Sequence, residues 1–501
     1  MAHESRLKRL IRTGIMIGAA AIIMVICIAL ILLIQTFAIG GVSLSSANMR
    51  VSAPAIDSIE RFSAAIRFKT ISANADRHLA EIESFRGFLQ EAYANVSDEL
   101  EYDLVGEGSI LLTWRGSDSS LRPILLAAHF DVVPVAPWTE TQWEHPPFEG
   151  IAADGFIWGR GAWDNKFSVI SILEATEALL RSGHQPNRTI YLAFGHDEET
   201  GGTGAQAIAA KLASQGVMLD WVLDEGSTGG MDLVPGALKP TAIVGVSEKG
   251  SAMVQLSAVA AGGHSAMPTP ENSVFQMSRA MARVSENPFP ERLSEPVSEM
   301  FDRLAPAMEF ETKLALANRW AFEGVLLDAL SATPSGNATI RTTIAPTRYA
   351  AGVADNVLAP EASVLLNLRL LPGDTLDDVR DHLERAVNDP NVAIEVDTAR
   401  SSEATPVSKM SGPAWDTIAA SISRVFPDVV VTPGLTIGGT DGRHYTGVAE
   451  NVYRFQPIRI WREDLPRIHG TNERVSVEDF GAAIEFYIDL IASASSPANA
   501  D

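Results

Sequence analysis

The chain has 501 residues, 46% of them hydrophobic and 20% charged, a balance ordinary for folded protein but a length too great for one domain of roughly 100–200 residues. Its 39 basic and 62 acidic side chains leave a net charge of −23, which repels a phosphate backbone and argues against nucleic acid as a partner. The single cysteine, Cys27, excludes an intrachain disulfide and a CxxC metal site.

At the N-terminus Arg6, Lys8, Arg9 and Arg12 precede an uncharged apolar stretch from Gly14 to Ile34. As a helix this stretch spans about 31 Å, enough for a bilayer core of about 30 Å. A cleaved signal peptide, the competing reading, has a shorter apolar core of roughly 7–15 residues, and Phe37-Ala38-Ile39-Gly40 is a poor cleavage site. This favours a single-pass transmembrane helix with its basic tip cytoplasmic and the rest of the chain exocytoplasmic, either periplasmic or lumenal and extracellular. Residues 1–46 are therefore assigned to tip, anchor and tether, with Val42 to Pro54 rich in Ser and Ala.

Structure is expected to begin near Ile56. Strand patterns at Ile124–Ala128, Thr189–Phe194 and Trp221–Leu223 alternate with helical patterns at Ser168–Ser182 and Gly204–Gln215, which predicts an α/β fold with a parallel-core sheet flanked by helices. After Val246 the order changes to a strand over Ser251–Ala260, a helix over Asn272–Val284, a helix-rich stretch over Glu291–Leu330, a strand over Ala362–Leu371, a helix over Thr375–Val387 and a strand over Val392–Val396. This reads as an inserted α+β lid. The predicted division is a first catalytic part at 47–246, a lid at 247–404 and a second catalytic part at 405–501.

His129 and Asp131 follow one predicted strand, Glu198 and Glu199 the next, and Asp224 the third, while Asp164 lies in a Gly-rich turn before a helix. In open α/β sheets the carboxyl edge of the strands is where ligand sites form. Singly, each residue has an ordinary structural use as a cap or turn former. Together, carboxylates and imidazoles on one edge repel unless a cation lies among them, and a His and carboxylate set without thiolate suits zinc. Neither a GxSxG nucleophile turn nor a GxxxxGK[ST] phosphate loop occurs, which argues against that type of serine hydrolase and against a P-loop enzyme.

The runs Ala128-His129-Phe130-Asp131-Val132-Val133-Pro134, Trp143-Glu144-His145-Pro146-Pro147-Phe148-Glu149-Gly150 and Trp158-Gly159-Arg160-Gly161-Ala162-Trp163-Asp164-Asn165-Lys166 closely resemble the co-catalytic zinc metallopeptidases, the family of aminoacylase, acetylornithine deacetylase, succinyl-diaminopimelate desuccinylase and carboxypeptidase S. The runs His196-Asp197-Glu198-Glu199, Leu223-Asp224-Glu225-Gly226, Gly262-Gly263-His264-Ser265-Ala266, Gly438-Gly439-Thr440-Asp441-Gly442-Arg443-His444-Tyr445 and His469-Gly470-Thr471-Asn472-Glu473 follow in the family's order, and the Trp-rich version is nearest the carboxypeptidase S branch. The resemblance implies a zinc-peptidase-like fold with a ferredoxin-like lid, two Zn2+ per subunit replaceable by Co2+ or Mn2+, and a homodimer as one arrangement. It assigns His129 and Asp224 to one metal, Glu199 and His469 to the other, and Asp164 to both. Glu198 would be the general base, Asp131 the carboxylate that orients His129, and His264 of the lid the oxyanion donor. Arg369 and Asn356 match positions that bind a substrate carboxylate, and Thr440 and Arg443 are expected to line the pocket.

The expected activity is removal of a C-terminal amino acid from a short peptide. Hydrolysis or synthesis of a fatty acyl amide of an amino acid is the alternative within the same chemistry. A membrane-tethered binding protein that has lost catalysis is the alternative of another class. That reading requires a missing ligand or base, and none is missing from the expected set.

Overall fold

The computed structural model describes residues 2–41, 53–72, 75–230 and 232–495; most of the expected tether, Val42 to Pro54, lies outside them. Helix α1 (Ala2–Ala38) contains an apolar segment, Arg12–Ala38, of 27 residues, long and apolar enough to cross a membrane. The folded body starts with α2 (Ile56–Arg67), α3 (Ala75–Ala92) and α4 (Ala94–Glu99).

The central sheet has eight strands: β1 (Glu101–Val105), β2 (Ser109–Trp114), β3 (Ile124–His129), β6 (Ile190–Gly195), β7 (Leu219–Gly230), β8 (Thr241–Glu248), β15 (Val430–Thr436) and β16 (Ala449–Ile460). Their spatial order is β1-β2-β6-β3-β7-β16-β8-β15, and β6, β3, β7 and β16 run parallel as neighbours. Every residue of β3 and β6 is buried, which is why each reads as an unbroken apolar run. Helices α5 (Lys166–Arg181), α13 (Pro413–Val425) and α14 (Val477–Ser495) join α2 in the larger core, while α6 (Thr203–Ser214) covers the opposite face. A small sheet of β4 (Ile151–Ala153), β5 (Phe156–Trp158) and β17 (Arg474–Ser476) ties the turn before α5 to the segment that carries His469.

The chain leaves the main sheet at Glu248 and enters a four-stranded antiparallel sheet of β9 (Gly250–Val259), β11 (Thr343–Ala351), β13 (Glu361–Leu370) and β14 (Val392–Ser402), in the order β11-β13-β9-β14. Burial alternates along β9 and β13, as a half-covered sheet requires, and the buried face meets α7 (Ser273–Glu286) and α12 (Leu376–Val387). Asn272 caps α7 by accepting from Phe275 N, and Thr375 with Asp378 forms a capping box on α12. The short strands β10 (Gly263–His264) and β12 (Val357–Leu358) pair beside this sheet. The helix-rich stretch consists of α8 (Glu295–Leu304), α9 (Phe310–Ala317), α10 (Arg319–Ser331) and α11 (Pro334–Ile340). Of these, α8 packs on β15 at the edge of the central sheet through Val297, Phe301, Leu304 and Val430.

Candidate metal centre

His129 is the last residue of β3 and is almost fully buried. Its Nδ1 lies 3.1 Å from the Asp131 carbonyl and 3.2 Å from Asp131 Oδ1, which leaves Nε2 directed outward. Asp131 does more than orient this ring: its two oxygens accept from the backbone N–H groups of Glu198 (3.0 Å) and Glu199 (3.1 Å). One buried carboxylate therefore joins the end of β3 to the turn after β6, and so fixes His129 relative to both glutamates.

Asp164 stands at the centre of the arrangement. One oxygen is 2.9 Å from His129 Nε2 and the other 3.1 Å from His469 Nε2, while His469 Nε2 is also 3.2 Å from Glu199 Oε1. The backbone N–H groups of Trp163 and Asp164 both donate to Glu473 Oε1, and Glu473 Oε2 accepts from Arg160 Nη1 at 2.6 Å. Arg160 Nη2 donates in turn to the carbonyls of His469 and Gly470. This buried pair holds the Asp164 turn and the His469 turn in one geometry, and His469 keeps a left-handed backbone with φ of 57°. Gln456 on β16 completes the support by donating to the Trp163 carbonyl and to Asn165 Oδ1.

Asp224, expected beside His129, is buried, and its Oδ2 accepts from Gly442 N at 2.6 Å. Its neighbour Glu225 brings Oε1 to 3.1 Å from His129 Nε2. The strand predicted over Trp221–Leu223 in fact runs on to Gly230, so both acids lie inside β7, at the point where its pairing with β16 becomes irregular. Gly226, at φ +105°, lets the Gly-rich loop close in, since a Cβ there would stand 2.6 Å from Thr440 Cγ2. The Asp-Glu tandem was visible in the sequence, but which member faces the strand end depends on the register of β7.

Two groups of donors result, His129 with Asp164 and Glu225, and Asp164 with Glu199 and His469, each with its donor atoms within 4.8 Å of one another. Glu199 Oε1 is buried, and the contact it makes is the 3.2 Å approach of His469 Nε2, the other donor that would ligate the same cation. The donor types, hard oxygens and imidazole with one shared carboxylate, fit a pair of zinc ions. The electrostatics of the cluster suit a bound cation. Hydrogen bonds that its ring donates to Asp164 and Glu199 push His469 up to about 10. Burial, with Asp164 adding repulsion, lifts Glu225 to about 8. Burial, helped by the carboxylates of Glu225, Asp441 and Asp164, also raises Glu198 well above the usual range.

Glu198, Glu199, Asp164, Glu225 and His469 open onto a cleft of about 680 Å³. Arg369 of β13 and Arg443 reach the same cleft, and Ile437, Ile460, Leu465 and Ile468 form an apolar wall. Thr440 lines it as well, but its hydroxyl donates to Glu248 Oε2, which also accepts from Arg454 Nε at 2.8 Å in a fully buried ion pair. Thr440 is thus occupied in holding the loop. His264 and Asn356 are not brought into the cleft: both are exposed on the lid, where β10 pairs with β12 and Ser265 N donates to the Asn356 carbonyl. Sequence reasoning gave no role to Glu473 or Arg160, although both stand in the quoted runs. Their pairing across more than 300 residues has no local signal.

The family model described as peptidase family M20/M25/M40 matches residues 125–493. The chain is 38% identical over 439 residues to the N-fatty-acyl-amino acid synthase/hydrolase PM20D1 of Xenopus tropicalis, covering 86% of this chain and 85% of the relative. It is 30% identical over 488 residues to carboxypeptidase S of Saccharomyces cerevisiae, covering 87% and 84%. Among solved structures, the M20 family metallo-carboxypeptidase Sso-CP2 of Sulfolobus solfataricus superposes with a TM-score of 0.64 at 16% identity, over 87% of this chain and 99% of that one. Human carnosine dipeptidase 1 superposes with a TM-score of 0.62 at 12% identity, over 89% and 100%.

Proposed function

The chain belongs to peptidase family M20/M25/M40, a family of metal-dependent hydrolases, and from that premise we propose a membrane-anchored di-zinc enzyme that cleaves the amide bond to a C-terminal amino acid. The observation that supports this best is the pair of donor groups sharing Asp164 on a cleft that also holds Arg369 and Arg443. His129, Asp164 and Glu225 would hold one zinc, and Asp164, Glu199 and His469 the other. Bound zinc supplies polarisation of the scissile carbonyl and a lowered pKa for the attacking water.

The chain's own residues do the rest. Glu198 takes the proton released by the attacking water and returns it to the leaving nitrogen. It opens onto the same cleft as Asp164, Glu199 and Glu225. The Arg369 guanidinium, with Arg443 beside it, pairs with the carboxylate of the released amino acid. His264 and Asn356 meet the substrate only when the lid closes or when a second copy presents them, which is the role proposed for a homodimer.

The first reading of the substrate is a short peptide, giving a carboxypeptidase. The apolar wall of Ile437, Ile460, Leu465 and Ile468 favours a second, an N-acyl amino acid with a long apolar acyl group, in keeping with the similarity to PM20D1. Rates on a blocked dipeptide and on a long-chain N-acyl amino acid separate the two. Loss of both activities on removing zinc, with recovery on its return, tests the shared premise. The anchor, α1, places the body on the exocytoplasmic side by the basic residues at its start.

A further inference from the structure

Helices α9 and α10 are joined at Asn318, a buried side chain whose Nδ2 donates to the Leu32 carbonyl (3.1 Å) and to Thr36 Oγ1 (3.2 Å) of α1. Trp320 Nε1 donates to Gln35 Oε1 at 3.1 Å, Lys313 Nζ to the Gly40 carbonyl at 2.6 Å, and the Phe310 ring lies 6.3 Å from that of Phe37. The pair therefore grips the last turns of the bilayer-length helix. Its apolar segment of 27 residues spans about 40 Å as a helix, against a hydrocarbon core of about 30 Å, so residues from about 32 onward stand near the headgroup level.

On the elements beside this grip, large apolar side chains are exposed. Trp320 is 65% exposed, Val325 61% and Leu238 62%, the last on a loop whose backbone donates to the Ala307 carbonyl beside α9. No residue of α10 is fully buried although most of its side chains are apolar. Its one cation, Arg319, is paired with Asp302 at 2.7 Å, and Glu323 and Asp328 are exposed, so the patch offers anionic headgroups no attraction. Apolar insertion is what its chemistry fits, with a Trp ring at the interface.

We infer that Trp320, Val325 and Leu238 form a second membrane contact, which seats the catalytic body on the lipid surface where α1 emerges. The inference rests on reading α1 as an anchor. A spin label tests both separately in full-length protein reconstituted into phosphatidylcholine vesicles. One sample carries the label on native Cys27; the others carry it on Val325→Cys or on the lid control Val353→Cys, each in a Cys27→Ser background. Val353 is 91% exposed. Collision with oxygen, enriched in lipid, is compared with collision with water-soluble chromium oxalate. The expected result is a lipid-type ratio at Cys27 and a ratio at Val325 at least about tenfold above that at Val353. A Val325 label as aqueous as Val353 with Cys27 in lipid overturns the second contact and leaves the anchor standing. An aqueous Cys27 overturns both. A Val325 label shielded from both reagents and broadened by a neighbouring label means that a second copy covers the patch, which also overturns the inference.

Discussion

Glu225→Gln and Asp224→Asn are nearly identical in size and adjacent in sequence, yet the structure predicts opposite effects on metal. Glu225 Oε1 stands 3.1 Å from His129 Nε2, inside a donor group that spans no more than 4.8 Å. Changing a residue that merely supports a ligand already costs about 10–100-fold in metal affinity, so losing a charged ligand should cost at least about 100-fold, or about 2.7 kcal/mol, at one of the two sites. Asp224 instead accepts a 2.6 Å bond from Gly442 N, and an Asn oxygen can accept the same bond. That variant should keep both metals within about tenfold of the original affinity. The assay is metal content per chain after equilibration at buffered free zinc, read by mass spectrometry and followed by a chelator competition. Two metals in wild type and Asp224→Asn but one in Glu225→Gln is the expected result. One metal in Asp224→Asn and two in Glu225→Gln would refute the assignment.

The remaining predictions concern the base, protons, support and the apolar wall. Glu198→Gln should retain both metals and lose about 10²–10⁴-fold in kcat, and a variant turning over at the wild-type rate removes Glu198 from the proton transfer. Because His469 is held at about 10 and Glu225 at about 8 without metal, zinc binding at pH 7 should release at least about two protons, measured by calorimetry in buffers of different ionisation enthalpy; release near zero contradicts the cluster. The same raised His469 stabilises the metal-free fold most below its ordinary 6.5 and loses this contribution as pH rises to about 10, so the melting temperatures of wild type and His469→Gln should converge over that window. Glu473→Gln leaves Arg160 without its buried counter-charge and should lower stability by about 3–5 kcal/mol in urea unfolding, with weaker zinc binding; an unchanged midpoint argues against the clamp. If acyl chains lie along Ile437, Leu465 and Ile468, kcat/KM for a series of N-acyl amino acids should rise about fourfold per added methylene until the wall is covered, from about 0.8 kcal/mol per CH₂, and a flat series favours the short-peptide reading.

Local pattern was sufficient for the α/β class, because strands buried on both faces, such as β3 and β6, must be apolar throughout and helices between them must repeat every 3.6 residues. Pattern also placed His129, Glu198 and Glu199 at strand ends and made the N-terminal stretch long enough to span a bilayer, since both depend only on neighbours in the chain. What the amino-acid order left open were choices made by contacts between distant residues. The irregular pairing of β7 brings Glu225 to 3.1 Å from His129 while Asp224 accepts from Gly442, and a tandem of two acids cannot show which way each points. The lid left His264 and Asn356 outside the cleft, since the lid's position relative to the central sheet is set by packing and not by motif. The Arg160 and Glu473 clamp, and the grip of Asn318 on α1, exist only because the chain returns to itself after hundreds of residues. No local periodicity records such meetings.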